Sequence, residues 1–222
     1  MTKLNKILQQ RDVCNAWLLR GATYEGNWEL PCIVTTKKIP AEGTLLPFDK
    51  IRCKTSPKHW VHFYIHDHYF EKLWRTPHRY FDRLLTFDGI ISPDYSIYRD
   101  MPFALQLWNT FRNRAIGSWL SLNGVPIIPN VRWGDERTYS FCFDGIERKS
   151  TVAVGTHGCL KTREDRYFFK KGLSAMLEHL SPRVILVYGT TPESIFSDCY
   201  AAGVEVIPFP SLFSLTRKVA IA

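Results

Sequence analysis

The chain has 222 residues, 29 Lys plus Arg against 21 Asp plus Glu, and a formal net charge of +8. Hydrophobic residues at 45% and charged residues at 23% are ordinary globular usage, which excludes disordered, collagen-like and coiled-coil chains. The length suits one large domain rather than two full-sized ones, and the positive balance favours an anionic partner.

Up to about residue 58 the chain is rich in turn formers: Gly21, Gly26, Pro31, Pro40, Gly43, Pro47 and Pro57 interrupt short strand-like runs such as Ile33–Thr36. The expected organisation is a β-rich N-terminal extension over residues 1–58, packed on a domain over 59–222. From Trp60 onward, apolar runs rich in β-branched and aromatic residues alternate with helical stretches long enough for crossovers. This is the pattern of βαβ units and a parallel sheet. Strands are predicted at Val61–His66, Phe87–Ile91, Pro126–Val131, Thr151–Val154, Val184–Tyr188 and Val204–Pro208. The fold class is α/β, a mainly parallel sheet closer to an irregular or partial barrel than to a flat dinucleotide fold.

The helices between these strands have recognisable ends. One is capped by Asp100, with Pro102 in its first turn, repeats Phe103, Leu107, Phe111 and Ala115 at four-residue spacing, and closes at Asn123-Gly124. Another starts near Asp165 and stops before Pro182, where the amide hydrogen is missing. A third opens at Pro192-Glu193 and ends at Ala202-Gly203. Asp135–Asp144 reads as a short helix or, through alternating Tyr139, Phe141 and Phe143, as a strand; the helix is favoured because parallel neighbours need a crossover.

The six cysteines are scattered without a Cys-x-x-Cys pair, so disulfides are not expected. The first ten residues lack a continuous apolar run and no stretch approaches the roughly 18 apolar residues that span a bilayer, so a cytoplasmic protein without membrane partners is expected.

In parallel α/β folds ligands bind where strands end and helix N-termini begin, since free amides and positive helix ends meet there. The strand ends carry His66-Asp67-His68, Ser92–Ser96, Arg132–Glu136, Gly155–Gly158 and Gly189-Thr190-Thr191. Every such loop is polar for capping reasons alone, yet five in succession point to a site.

Several blocks resemble a phage- and plasmid-associated bacterial family, the domain of unknown function 4417 family. They are His62–Asp67, Tyr69–Trp74, Phe87–Ser96, Trp108–Arg114, Val125–Trp133, Phe141–Ile146, Thr151–Val154 and Val187–Gly189. The resemblance covers about residues 60 to 210 and leaves the N-terminal extension outside. It implies that Asp67, Asp94, Asn109, Arg112, Arg114, Trp133 and Tyr188 match motif positions, and it supplies no reaction.

Asp94, placed by Pro93, is the leading catalytic candidate, with Asp135 and Asp67 as further carboxylates for acid/base work or for a divalent metal as cofactor. Each can equally serve as a turn or helix cap. Asn109 and Arg112 share a helical face and suit a bidentate grip on phosphate; Arg114 points about 160° away and suits a structural acid or solvent, though it too is a substrate-binding candidate. Tyr95 and Trp133 could stack a base, while Thr156, His157 and Tyr188 complete the substrate candidates. His66-x-His68 resembles a metal pair, but only His157 is placed to support it, and Cys53 and His59 lack tight zinc spacing. Cys142 and Cys159 read as small hydrophobes unless a base adjoins them.

The expected function is that of a mobile-element protein, an enzyme acting on a nucleotide, nucleic acid or other phosphate-bearing substrate. The alternatives are a non-catalytic nucleic-acid-binding replication or regulatory factor and a metal-dependent hydrolase. No helix-turn-helix, zinc-finger, RNA-recognition or Walker A pattern narrows the choice.

Overall fold

Runs of valine and isoleucine such as Val184–Val187 favour extended backbone, because branching at Cβ suits a pleated surface and crowds a helix. In a computed structural model, which describes residues 12–51, 56 and 58–211, these runs are the strands. The opening residues and Cys53 lie outside the described residues.

A short antiparallel ribbon, β1 (Tyr24–Glu25) and β2 (Leu30–Pro31), comes first. β3 (Leu45–Pro47), β4 (Trp60–His62), β5 (Gly89–Ile91) and β6 (Ile127–Ile128) then form a parallel sheet in that order. β7 (Thr151–Gly155), β8 (Val184–Tyr188) and β9 (Glu205–Phe209) form a second parallel sheet, also in chain order. The two meet just past β6. Asn130 bridges Ala153 in parallel, with the Val131 amide donating to the Ala153 carbonyl at 2.8 Å and the Ala153 amide to the Pro129 carbonyl at 2.8 Å.

Seven parallel strands therefore follow one another without reversal of order, a progression that curls a twisted sheet. Its concave side holds Trp60, Ile91, Ile128, Ala153, Leu186 and Phe209, one buried residue from each of β4 to β9. No ladder joins β3 to β9 among the described residues, so the barrel is partial. β3 comes from the first 58 residues and forms the edge. The same segment also touches the body at Ile33, bridging Ile146, and at Thr35, bridging Ile127.

Helices cover the convex side. α1 (Glu71–Arg75) and α2 (His78–Leu84) follow β4, α3 (Phe103–Leu122) follows β5, α4 (Arg163–Leu180) follows β7 and α5 (Glu193–Ala201) follows β8. One apolar cluster packs Phe63, Leu73, Leu84, Ile90 and Leu120. The other packs Val152, Val154, Leu173, Met176, Ile185 and Phe196.

Two helix starts differ from expectation. α4 begins two residues early, because Thr162 and Asp165 form a reciprocal capping box. α3 starts after Pro102 without a side-chain cap, so Asp100 does not serve as one. Asp135–Asp144 forms neither a full helix nor a strand but a 3-10 turn at Glu136–Ser140, capped by Asp135. The segment just past that turn is held without a helix, because the Cys142 and Asp144 carbonyls accept from Arg114, described below. Among the described residues no helix is long and apolar enough to cross a membrane.

His62 is buried at 1% exposure, and its Nδ1 accepts the Tyr64 amide at 3.2 Å. Burial drives its pKa down to about 3, so the folded chain holds it neutral while the unfolded chain protonates near 6.5. The unfolded state then binds the extra proton between those values, and stability falls as pH drops from 6.5 towards 3, by at most about 1.4 kcal/mol per pH unit. Urea titrations of His62→Gln should show a flatter decline across that window than the parent; an unchanged slope would disprove the assignment.

Candidate functional site

The loop from Ser92 to Pro102 leaves the carboxyl end of β5 and must be held before it can shape anything. The polar residues of α3 hold it. Asn113 donates to the Pro93 carbonyl, Asn109 donates to the Ser96 carbonyl at 2.6 Å and Gln106 to the Met101 carbonyl at 2.8 Å. From the other side Asp67 accepts the Ser96 amide at 3.0 Å and the Ser96 hydroxyl at 2.8 Å.

So held, the loop forms one wall of a cavity of about 570 Å³, within the range of small-molecule sites. Residues 97–100 supply that wall, residues 131–134 beyond β6 the floor, and Gly155 at the end of β7, Gly158 and Cys159 after it and the first turns of α4 the far side. The strand-end location expected from the sequence is where the cavity lies.

Arg132 lines the cavity, and its Nη1 donates at 3.3 Å to Asp94, whose other carboxylate oxygen accepts from Asn130 Nδ2 at 2.8 Å. Asn130 Oδ1 in turn accepts the Tyr64 hydroxyl at 2.9 Å, and the Tyr64 ring stacks on Tyr188 with centroids 4.8 Å apart. Gly155 permits this stack, since a Cβ there would sit 2.8 Å from the Tyr64 ring. Burial raises the Asp94 pKa, against the pull of Arg132 and Asn130, and the nearby carboxylate holds Arg132 firmly protonated. On the far side the Arg99 guanidinium stacks 4.3 Å above the Phe168 ring and lies 3.4 Å from Asp165 and 3.6 Å from Glu164.

Of the catalytic and substrate-binding candidates named from the sequence, Trp133 alone lines the cavity, joined by Cys159, which the sequence reads as a small hydrophobe. Asp94 and Arg112 do not converge on it. Arg112 is buried, donates to Glu71 at 2.8 Å and to Asn109 at 2.6 Å, and stacks 3.9 Å above the Tyr95 ring. It fastens α3 to α1. Arg114 is 1% exposed and donates to the carbonyls of Asp144 at 2.8 Å and Cys142 at 2.7 Å, and to Asn113 Oδ1 at 2.6 Å. Burial lowers it to about 10.

The remaining candidates lie outside the cavity. Asp135 pairs with Arg137 at 2.8 Å, which holds its carboxyl below the ordinary value. Thr156 donates to the Thr190 carbonyl at 2.8 Å, Tyr188 lies in the stack 4.5 Å from the His62 ring, and His157 is exposed beside it. His66 and His68 are exposed with ring centroids 5.9 Å apart, and the described residues hold no group of three or more His, Cys, Asp or Glu able to bind a metal. Burial holds the Cys142 thiol protonated.

Sequence reasoning missed Arg132 and Arg99 as site residues. Arg132 stands immediately before Trp133 at a strand end and could have been found from that position; Arg99 lies in an irregular loop with no local signal. The assembled surface offers the guanidiniums of Arg99 and Arg132, the carboxylates of Asp100, Glu164 and Asp165, and the rings of Trp133 and Phe168.

Trp133 keeps its place because α4 has glycine at position 172, where a Cβ would lie 2.1 Å from the indole nitrogen. Alanine in a helix interior gains about 1 kcal/mol over glycine, whereas overpacking a rigid ring costs about 1–3 kcal/mol. Gly172→Ala should therefore destabilise the chain by up to about 2 kcal/mol in urea unfolding; a stabilised variant would show that the indole yields freely.

The family described as domain of unknown function 4417 matches residues 22–210. The chain belongs to that family. The match begins at Ala22, so the N-terminal segment that the sequence resemblance left out is largely inside it, as expected of a segment that supplies β3 to the sheet. The chain is 36% identical over 158 residues to a Gene 1 protein of Mycobacterium phage L5, covering 71% of this chain and 67% of that protein. It is also 36% identical over 129 residues to a Gene 1 protein of Mycobacterium phage D29, covering 58% and 48%. It thus spans about two thirds of the first relative and about half of the second. These relatives make the domain of unknown function 4417 chain phage-associated. No solved structure matches it.

Proposed function

We propose that the chain binds a nucleotide in the cavity beyond β5, β6 and β7. The observation that carries this reading is Arg132, held at 3.3 Å by the buried Asp94 and facing a cavity walled by Trp133 and Phe168. A guanidinium fixed from behind has lost little further freedom when it meets phosphate, and the rings beside it take the base. Asp94 is then a positioning residue rather than an acid or base, because it reaches the cavity through Arg132.

The test is calorimetric titration with the four ribonucleoside monophosphates. A hydrogen bond to a charged group contributes about 1.5–3 kcal/mol, so Arg132→Ala should weaken the best ligand about tenfold to a hundredfold. Failure of every nucleotide to bind the parent at millimolar concentration, or equal binding by the variant, would overturn the proposal.

A further inference from the structure

The rim of the cavity carries a second pattern that a free nucleotide does not use. On α4 the residues Arg163, Tyr167 and Lys171 stand four apart, forming one exposed row about 12 Å long at 1.5 Å per residue. Glu164 and Phe168, one position further around the helix, line the cavity. The row therefore runs along its mouth. Tyr167 is 57% exposed, Tyr98 on the opposite lip is 54% exposed, and the Lys171 ammonium lies 5.8 Å from the Tyr167 centroid. Beside the row, Lys161 before the helix and Arg166, whose Nε donates to the Leu160 carbonyl at 3.0 Å, are exposed as well.

The carboxylates here line the cavity rather than the row: Asp100, Glu164 and Asp165 all face into it. Glu164 and Asp165 face Arg99, Asp165 also closes the α4 cap, and Asp135 is taken by Arg137. Among the described residues none of Lys161, Arg163, Arg166 and Lys171 makes an ion pair. A purely solvating face would not need two half-exposed tyrosines flanking a cavity. Cations alternating with exposed rings beside a cavity roomy enough for a nucleotide match a strand of nucleic acid, whose phosphates need the cations and whose bases stack on the rings.

We infer that the ligand is a nucleotide within a single strand, with one base in the cavity and the neighbouring phosphates and bases on the Arg163–Tyr167–Lys171 row. This rests on the nucleotide reading of the cavity and names its substrate class. A duplex is excluded from the same mode, since its bases are paired and stacked and cannot enter the cavity without being extruded.

The experiment measures fluorescence anisotropy of labelled 12-residue DNA and RNA single strands and of a duplex of equal length, beside calorimetry with the best mononucleotide. The single strand should bind tighter than the mononucleotide and than the duplex. Arg163→Ala/Lys171→Ala should weaken strand binding at least tenfold and reduce the slope of log affinity against log salt by about 1.4, while mononucleotide binding stays within twofold. Tyr167→Ala should cost at least about fivefold on the strand alone. Exposed positions in the middle and first turns of α4 accept alanine without loss of the fold, which circular dichroism checks. If strand affinity and salt slope are unchanged in the double variant, or the duplex binds equally well, the inference fails and the nucleotide cavity stands. If Arg132→Ala leaves both mononucleotide and strand binding unaltered, the cavity reading itself fails and takes the inference with it.

Discussion

Arg114→Ala should lower the stability of the chain by about 4 kcal/mol. The side chain is 1% exposed and its guanidinium serves the carbonyls of Asp144 and Cys142 and the amide oxygen of Asn113. Each acceptor left without a donor in a dry interior costs about 1–3 kcal/mol, and the emptied volume adds a cavity cost. Removing the cation also removes its own desolvation cost, so the loss is smaller than the sum of these parts. For a chain of 222 residues the thermal midpoint moves roughly 2–4 °C per kcal/mol, which puts the variant roughly 10 °C or more below the parent. Arg114→Lys restores one donor group without the fork geometry and should recover less than half of the loss. Urea unfolding followed by tryptophan fluorescence reads this directly, and a loss below about 1 kcal/mol would show that Arg114 is not the staple of the β6–β7 crossover.

Asp94→Ala should cost about 3 kcal/mol of stability and at the same time weaken nucleotide binding. The carboxylate is the ion-pair partner of Arg132 and also accepts from Asn130, so its removal leaves a cation half in the interior with no counter-charge. Arg132 keeps 22% side-chain exposure towards the cavity, which places the cost at the lower end for a broken buried pair. Once released, the guanidinium has to be ordered again on binding, so affinity falls along with stability. The double variant Asp94→Ala/Arg132→Met tests the cause: with both charges gone, stability should return to within about 1.5 kcal/mol of the parent while binding stays lost. If the double variant is as unstable as the sum of the two single ones, the pair is uncoupled and Asp94 does not position Arg132.

Arginines that look alike in the sequence behave differently in the fold. Asn109 and Arg112 read as a helical face available to phosphate, yet they, Asn113 and Arg114 are all buried and all engaged with the chain itself. The helix is enclosed on both sides, by α1 and the Ser92–Pro102 loop and by the β6–β7 crossover. Its polar side chains satisfy carbonyls that an irregular loop cannot pair for itself. Arg132, by contrast, carries no mark in the sequence beyond following Val131 at the end of a strand. Arg99 becomes a wall of the cavity only because α4 brings Phe168, Glu164 and Asp165 to it from 65 residues away or more.

What the sequence determined by itself was the parallel α/β course of the chain from Trp60 onward, its main strands and three of its helices, and the strand ends beside which the cavity opens; the order of strands in the sheet and the place of β3 came from the structure. The properties read from the sequence depend on local causes: β-branched runs, four-residue apolar spacing, and prolines and glycines that end elements. Only the tertiary structure decided which polar side chains face the cavity and which are spent inside, because a guanidinium has the same chemistry in either place. Its role is set by whichever acceptor the packing puts within about 3 Å of it, here a carbonyl or glutamate for Arg114 and Arg112, and a positioning aspartate for Arg132.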